Sequence, residues 1–325
     1  MDDAGLEEVR QREGEGEREL KILVTGGAGF IASHVVDALV AQRYEVVILD
    51  NLSTGSLDNV NPRARLIEMD ITDPRVADLF AEERFDIVDH HAAQVSVNVS
   101  VDAPIHDANV NILGSINLLQ VAVASEVKKF IYISSGGAMY GEPERQPVVE
   151  DCPPEPLSPY GVSKHTVEHY LYLYHRIYGL RFTSLRYPNI YGPRQDPNGE
   201  AGVIAIFTGQ MLHNQPVTIN GTGEQLRDYL YVGDCVTANL LALDGGDGGM
   251  YNLGWGVGVS VNELFAQLSS LTGYTREPIH GPAKPGETFR IFLDAARARE
   301  ELRWSPTVAL HDGLRQTVEY FQQGR

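Results

Sequence analysis

T-G-G-A-G-F-I-A, Thr25 to Ala32, lies between the apolar run L-K-I-L-V-T, residues 20 to 25, and the helically spaced F-I-A-S-H-V-V-D-A-L-V-A-Q, residues 30 to 42. An apolar run that ends in glycines and resumes with apolar residues three and four apart reads as a buried strand, a tight turn and a helix. Gly26, Gly29 and Ala32 take the spacing G-x-x-G-x-x-A. Lacking side chains, the two glycines let the main chain turn sharply and approach a pyrophosphate, whose charge then faces the positive end of the helix. Ala32 permits the close helix-to-strand contact that such a turn requires.

Working outward, the alternation repeats. Strands are expected at residues 44–50, 64–70, 85–92, 129–135 and 181–187. A long helix is expected over roughly 106–125, and another is capped by Ser158, carries Pro159 in its first turn and runs to about Tyr178. Strands separated by helical crossovers predict an α/β fold, a Rossmann-type doubly wound parallel sheet of six or seven strands. After Gly192 the texture changes to P-R-Q-D-P-N-G-E-A-G with shorter elements. The chain therefore divides into an acidic tail (1–19), a dinucleotide-binding domain (20–192) and a smaller C-terminal α/β substrate domain (193–325), some segments of which have the length to return to the first sheet.

Asp50 ends the second strand, about 20 residues beyond the glycines, where a carboxylate accepts hydrogen bonds from a ribose 2′-hydroxyl and repels a 2′-phosphate. Neither Asn51 nor Leu52 is basic, so NAD is the expected cofactor rather than its phosphorylated form. Asp70, closing the third strand, either reaches the adenine end or caps the I-T-D-P turn that follows.

The net charge of −18 and the isoelectric point near 4.9 repel phosphate backbones and anionic lipid, so no nucleic-acid or membrane partner is expected. Cys152 and Cys235 are far apart, and no His/Cys cluster has ligand spacing. This predicts no disulfide framework, no metal and a reducing cytoplasm. No apolar run reaches membrane-spanning length. His165, His169 and His175 read as ordinary residues of the long helix, and His90 and His91 as packing residues at a strand end.

S-P-Y-G-V-S-K, Ser158 to Lys164, sets Tyr160 and Lys164 four apart and hence on one helix face. A free tyrosine titrates near 10, too high for a base at neutral pH. A cation about 6 Å away favours the phenolate by roughly 3 kcal/mol at an effective dielectric of about 20, or about two pKa units. Together with a cationic nicotinamide this predicts a pair able to take a proton from an alcohol while a hydride leaves the same carbon.

With these segments stand H-H-A-A-Q, N-I-L-G-S-I-N-L-L, L-R-Y-P-N-I-Y-G-P-R-Q, R-D-Y-L-Y-V-G-D and K-P-G-E. In this order the chain from Leu20 onward resembles the extended short-chain dehydrogenase/reductases, and among them the NAD-dependent epimerases and dehydratases, closest to the UDP-glucose 4-epimerases. The resemblance implies that Gly26, Gly29, Phe30, Ile31, Asp50, Asn51, Asp70, Ile71, Ala92, Ala93, Gln94, Asn111, Tyr160, Lys164 and Tyr187 contact NAD. It also implies that Asn189, Val203, Thr218, Asn220, Arg227 and Tyr229 meet a UDP-sugar. Arg227 has its own rationale, because so acidic a chain needs a local guanidinium at a diphosphate.

Two departures from the family pattern stand out. Gly136 occupies the place of a family Ser or Thr, so either the neighbouring Ser135 supplies the catalytic hydroxyl or Tyr160 acts with water. Lys284 and Glu287 stand for a family Arg and Asp, with Arg290 available to assist at the phosphates. The implied reaction is C4 epimerisation: Tyr160 takes the 4-hydroxyl proton as hydride passes to NAD, the 4-keto sugar turns over, and the hydride returns to the opposite face. A 4,6-dehydratase or a decarboxylase needs an extra acid that Gly136, Gly137 and Ala138 do not supply. UDP-glucuronate and UDP-N-acetylhexosamine 4-epimerases remain as alternatives, as does a non-catalytic NAD-sensing protein. Tyr170, Tyr172, Tyr174 and Tyr178 mark either a homodimer surface or a core-facing stripe.

Overall fold

The computed structural model describes residues 20–197, 202–283 and 288–324. The expected acidic tail, together with Lys284 and Glu287, lies outside the described residues. Seven strands form one all-parallel sheet: β1 (Lys21–Thr25), β2 (Glu45–Asp50), β3 (Arg65–Glu68), β4 (Ile87–His90), β5 (Lys129–Ser135), β6 (Arg181–Tyr187) and a later strand, Gly249–Asn252. Their spatial order is Gly249–Asn252, β6, β5, β4, β1, β2, β3, with the direction of winding reversing between β1 and β4. In open α/β sheets ligands bind in the crevice at that reversal, beyond the carboxyl ends of the strands.

Alternation along β1 shows how both faces are filled. Ile22 and Val24 pack with Val35, Val36 and Leu39 of helix α1 (Phe30–Ala41), whereas Leu23 packs on the other face with Leu118, Leu119, Val167 and Leu171. Near-continuous burial of such strands is what a sheet covered on both sides demands. The helix that carries Leu118 is preceded by a π segment, Asn109–Gly114, within a run from Pro104 to Ala124. The expected continuous helix is thus locally widened; π segments of this kind recur at functional sites because the extra residue re-aims a side chain.

Helix Pro159–Tyr178 begins as its sequence dictates: the Ser158 hydroxyl accepts from the Gly161 N–H, Pro159 opens the first turn and Gly179, at φ 73°, ends it. Beyond Gly192 the chain works in two places. Val232–Ala242 packs on α1 and Gly249–Asn252 extends the main sheet beside β6, with Ala298, Leu302 and Trp304 joining the same core. A separate core gathers Phe207, Met211, Ile219, Leu264, Leu268 and Leu314 around three small sheets.

Candidate functional site

The turn after β1 has no room for side chains. A Cβ at Gly26 would sit 2.8 Å from the Ala92 nitrogen, and the residue has φ 70°. A Cβ at Gly27 would sit 2.7 Å from Ile48, and one at Gly29 3.0 Å from the Gly26 carbonyl. Gly29 is the N-cap of α1 and has no side chain to bond the first helical amides, so those of Phe30 and Ile31 face the turn. Gly26→Ala should therefore weaken NAD binding roughly tenfold or more, since strain of about 1–3 kcal/mol falls on the cradle itself. Equilibrium titration of cofactor-depleted protein measures this directly.

Asp50 lies beside this turn, buried, and accepts from the Ala28 N–H at 3.0 Å and the Leu52 N–H at 2.8 Å. These two bonds aim the carboxylate and leave lone pairs for a ribose. Asp70 stands two residues beyond β3 and accepts from the Thr72 N–H at 2.8 Å, the Thr72 hydroxyl at 2.6 Å and Asn51 Nδ2 at 2.7 Å. Partial burial pushes its pKa up, but these donors outweigh it and hold the carboxyl below the usual range. It thus caps its turn and at the same time ties Asn51 to the crevice. Ile71 is buried against Gly114.

The loop after β4 is held by a directed chain of hydrogen bonds. The Ala92 N–H donates to Thr25 Oγ1 (3.1 Å), which lies 2.7 Å from His90 Nδ1; His90 Nε2 lies 2.9 Å from Ser115 Oγ, which donates to the Asn111 carbonyl at 2.6 Å. Burial, with Lys164 and His91 nearby, pushes His90 well below the usual imidazole range, so it is a neutral relay in the packing and not an acid or base.

Asn111 is the hub of the site. Its side chain bonds the Gln94 main chain on both sides (2.8 and 3.0 Å), the Asp107 carboxylate at 3.0 Å and Ser163 of the Pro159–Tyr178 helix at 3.1 Å. Gln94 Nε2 donates to Asp107 as well, at 2.8 Å. Asp107 went unnoticed in the sequence, although its place four residues before Asn111 on one helix was the available signal.

Tyr160 and Lys164 meet the end of β5. The Ser135 hydroxyl faces the Tyr160 phenol. Lys164 Nζ donates to the Ile133 carbonyl at 2.8 Å and stands 5.1 Å from the centre of the Tyr132 ring. Burial pulls Lys164 down to about 8, against the support of Asp107 and Glu168. The expected lowering of Tyr160 by Lys164 is not what the protein alone produces. Burial pushes the phenol up to about 12, outweighing the opposing pull of the Ser135 hydroxyl, and the Asp107 charge adds to the rise.

Gly136 is explained by what faces it. A Cβ there would sit 2.4 Å from Cδ1 of Leu293, a fully buried side chain packed with Met139, Tyr140, Val148 and Ile291. No hydroxyl-bearing residue fits that position, which leaves Ser135 as the hydroxyl at the phenol. Tyr187 is buried, and its phenol oxygen accepts from Asn239 Nδ2, so what it can offer a cofactor at the end of β6 is main chain.

The remaining candidates lie around the small sheets. Asn189 directs its side-chain oxygen towards Gly137, 3.7 Å from where a Cβ there would be. Thr218 and Asn220 share one strand, and Asn220 accepts from Gln225 through its carbonyl. Arg227 pairs in register with Ile291, and its Nη1 donates to the Leu226 and Phe289 carbonyls. Tyr229 is buried, Val203 opens the helix Val203–Leu212, and Arg290 is exposed beside Glu144. The residue between Arg227 and Tyr229, Asp228, was not singled out in the sequence. Its carboxylate accepts from the Trp255, Gly256 and Leu293 N–H groups at 3.0, 3.0 and 3.2 Å. It thereby pins the Leu293 segment against Gly136. Among the described residues no helix is long and apolar enough to cross a membrane.

The family model described as "NAD dependent epimerase/dehydratase family" matches residues 22–254. A putative UDP-glucose 4-epimerase of Methanocaldococcus jannaschii is 46% identical over 93% of this chain and 98% of its own. Among solved structures, a Thermotoga maritima UDP-glucose 4-epimerase with UDP-glucose superposes with a TM-score of 0.93 at 49% identity, covering 94% of this chain and 99% of that one. A Thermus thermophilus UDP-glucose 4-epimerase complexed with NAD gives 0.90 at 43%, covering 94% and 100%. A Methanobrevibacter ruminantium UDP-N-acetylglucosamine 4-epimerase is more distant at 33% identity and a TM-score of 0.89, covering 94% and 99%. With a glycine turn that admits no side chain at its glycines, a tyrosine and lysine at the end of β5, a family model matching residues 22–254 and likenesses covering 94% of its length, the chain belongs to the NAD dependent epimerase/dehydratase family.

Proposed function

We propose that the protein is an NAD-dependent C4 epimerase of nucleotide sugars, interconverting UDP-glucose and UDP-galactose. One arrangement carries this reading: the Tyr160 phenol faces the Ser135 hydroxyl beside a buried lysine, on a helix that Asn111 joins to the cofactor-side loop.

The crevice suits NAD. Gly26 and Gly29 leave the space a pyrophosphate needs, with Phe30 and Ile31 offering amides; Asp50, Asn51, Asp70 and Ile71 line the adenosine half. Ala92, Ala93, Gln94, Asn111, Lys164 and the Tyr187 main chain line the nicotinamide half. When bound, NAD would supply the reversible two-electron oxidation at the sugar C4, and its oxidised form a positive charge that favours the phenolate. Tyr160 holds and moves the proton of the 4-hydroxyl at its phenolic oxygen. Ser135 bonds that oxygen and orients the sugar hydroxyl. Lys164, fixed by the Ile133 carbonyl, keeps a cation at the same place at neutral pH.

Arg227, with Asn189, Val203, Thr218, Asn220 and Tyr229, holds the nucleotide, assisted by Lys284, Glu287 and Arg290. That anchor frees the sugar to turn without leaving, which is where the binding energy has to be placed. The protein works as a cytoplasmic homodimer. Its support is a pair of neighbouring helical faces that leave Val97, Val101, Ile105, Val162, Leu173 and Ile177 exposed. Of the tyrosines on the longer helix, Tyr174 packs into the core whereas Tyr172 and Tyr178 are exposed.

Ser135→Ala should lower kcat about tenfold to hundredfold, the loss of one hydrogen bond to a group that carries charge as the proton moves. Gly136→Ser should not compensate. Its Cβ meets buried Leu293, so it should destabilise the fold by roughly 1–3 kcal/mol in thermal or urea unfolding and leave activity no higher. The function is tested by incubating purified protein, with no added nucleotide, with UDP-glucose, UDP-glucuronate and UDP-N-acetylglucosamine in parallel and separating the C4 epimers. Conversion of UDP-glucose is expected; conversion of either other sugar alone would transfer the assignment to that substrate.

A further inference from the structure

The helix Pro159–Tyr178 carries a second constellation that the epimerase chemistry does not use. His165 and His169 are not the isolated helix residues that their sequence suggested: their Nε2 atoms are 3.1 Å apart, with ring centres 4.6 Å apart. The His165 Nδ1 atom is shielded from solvent, has no hydrogen-bond partner within normal distance, and faces Glu168 Oε2 at 3.6 Å. Glu168 is fully buried and already clasped by Arg186 through Nε (2.9 Å) and Nη2 (2.7 Å), so it orients His165 without being free to move out to a ligand. A carboxylate behind one ring nitrogen fixes the proton there and leaves the other with its lone pair outward, the arrangement that backs metal-ligating imidazoles.

We propose that His165 and His169 form a two-imidazole site for a borderline divalent cation of the zinc(II) class. Imidazole nitrogens ligate zinc at about 2.0–2.1 Å, and two such bonds spanning the observed 3.1 Å enclose an angle of about 95–102°. That falls between the right angle of an octahedral edge and the tetrahedral angle, so both nitrogens reach one ion with little movement. Spacing of four residues on a helix supplies this geometry without any loop rearrangement. Neutral imidazole selects zinc, copper(II) or nickel(II) and discriminates against magnesium and calcium, which prefer oxygen. Among the described residues no group of three or more His, Cys, Asp or Glu side chains gathers at one point, so these two imidazoles are the ligands that one chain supplies there.

The test is an equilibrium titration of protein purified without a histidine tag, with Zn²⁺ competed by a chromophoric chelator at pH 7.5. One equivalent is expected, with a dissociation constant on the order of micromolar. His169→Ala, at an exposed position, and His165→Gln should each weaken it at least tenfold with unchanged circular dichroism. Equal binding by wild type and both variants would place the zinc on others of the ten histidines, and competition by equimolar Mg²⁺ would indicate a carboxylate site. Either result, or no zinc bound at all, overturns the proposal.

Discussion

Tyr160→Phe is expected to lower kcat by about 10²–10⁴-fold while leaving unfolding and NAD retention close to wild type. The substitution removes one oxygen from a half-buried ring that faces the Ser135 hydroxyl. Loss of that contact with a neutral group costs about 1 kcal/mol or less in stability, far less than the expected loss in transition-state stabilisation. The pKa directions also predict how the rate responds to pH. Burial holds the phenol at about 12, so the protein alone keeps it protonated at neutral pH. Lys164, pulled by burial to about 8, is still cationic there and loses its charge above that value. Steady-state kinetics and retained cofactor absorbance measured side by side separate loss of chemistry from loss of binding.

Glu168→Ala should cost about 3–5 kcal/mol of stability, because it leaves the Arg186 guanidinium buried without its carboxylate. Arg186 is 4% exposed, and besides gripping Glu168 it donates to Tyr140 at 2.6 Å and to the Glu150 carbonyl at 3.3 Å. Tyr140 passes the network to Asn252 at 2.8 Å, which in turn donates to the Val148 carbonyl at 2.9 Å. Breaking one ionic bond therefore loosens the end of β6, the segment around Val148 and the added strand together.

The sign of the pH effect follows from Glu168. Burial alone would push its carboxyl up, but the His165 imidazole facing it and the hydrogen bonds and charge of Arg186 hold it well below the usual range. The folded state therefore binds the proton less readily than the unfolded chain. Its contribution is present above the ordinary glutamate pKa of about 4.3 and is lost as pH falls below it towards the depressed native value. Urea unfolding followed from pH 6 to pH 3 should show this slope in wild type. A flatter one is expected in Glu168→Gln.

The features legible in the sequence are those whose physics is local. A strand, three small residues at fixed spacing and a helix are contiguous, and so are Ser158, Pro159, Tyr160 and Lys164 on one helical turn and a half. A parallel sheet of six or seven strands followed from the alternation of buried runs with helical periods, and the structure and its relatives agree on that fold; the strand Gly249–Asn252 that completes the seven was not named from the sequence. What escaped notice depends on residues distant in the chain. Glu168 has the look of a solvated helix residue until Arg186 and Ser184 close on it from β6. Gly136 looks like a lost hydroxyl until Leu293 is seen filling its place. Asp107 acquires its role only once the π segment turns Asn111 towards Gln94. The raised phenol pKa escaped for a related reason: a sequence shows the neighbouring cation, but the depth of burial that opposes it arises from packing.

The central claim is that C4 is oxidised and then reduced by the same enclosed pair of electrons while Tyr160 carries only the hydroxyl proton. Conversion of UDP-glucose deuterated at C4 by the purified protein in ordinary water tests it most directly, read by mass spectrometry of the UDP-galactose formed. Full retention of deuterium at C4 is the predicted result. Its replacement by solvent hydrogen would mean that C4 is inverted by proton exchange with a base, and would contradict the account.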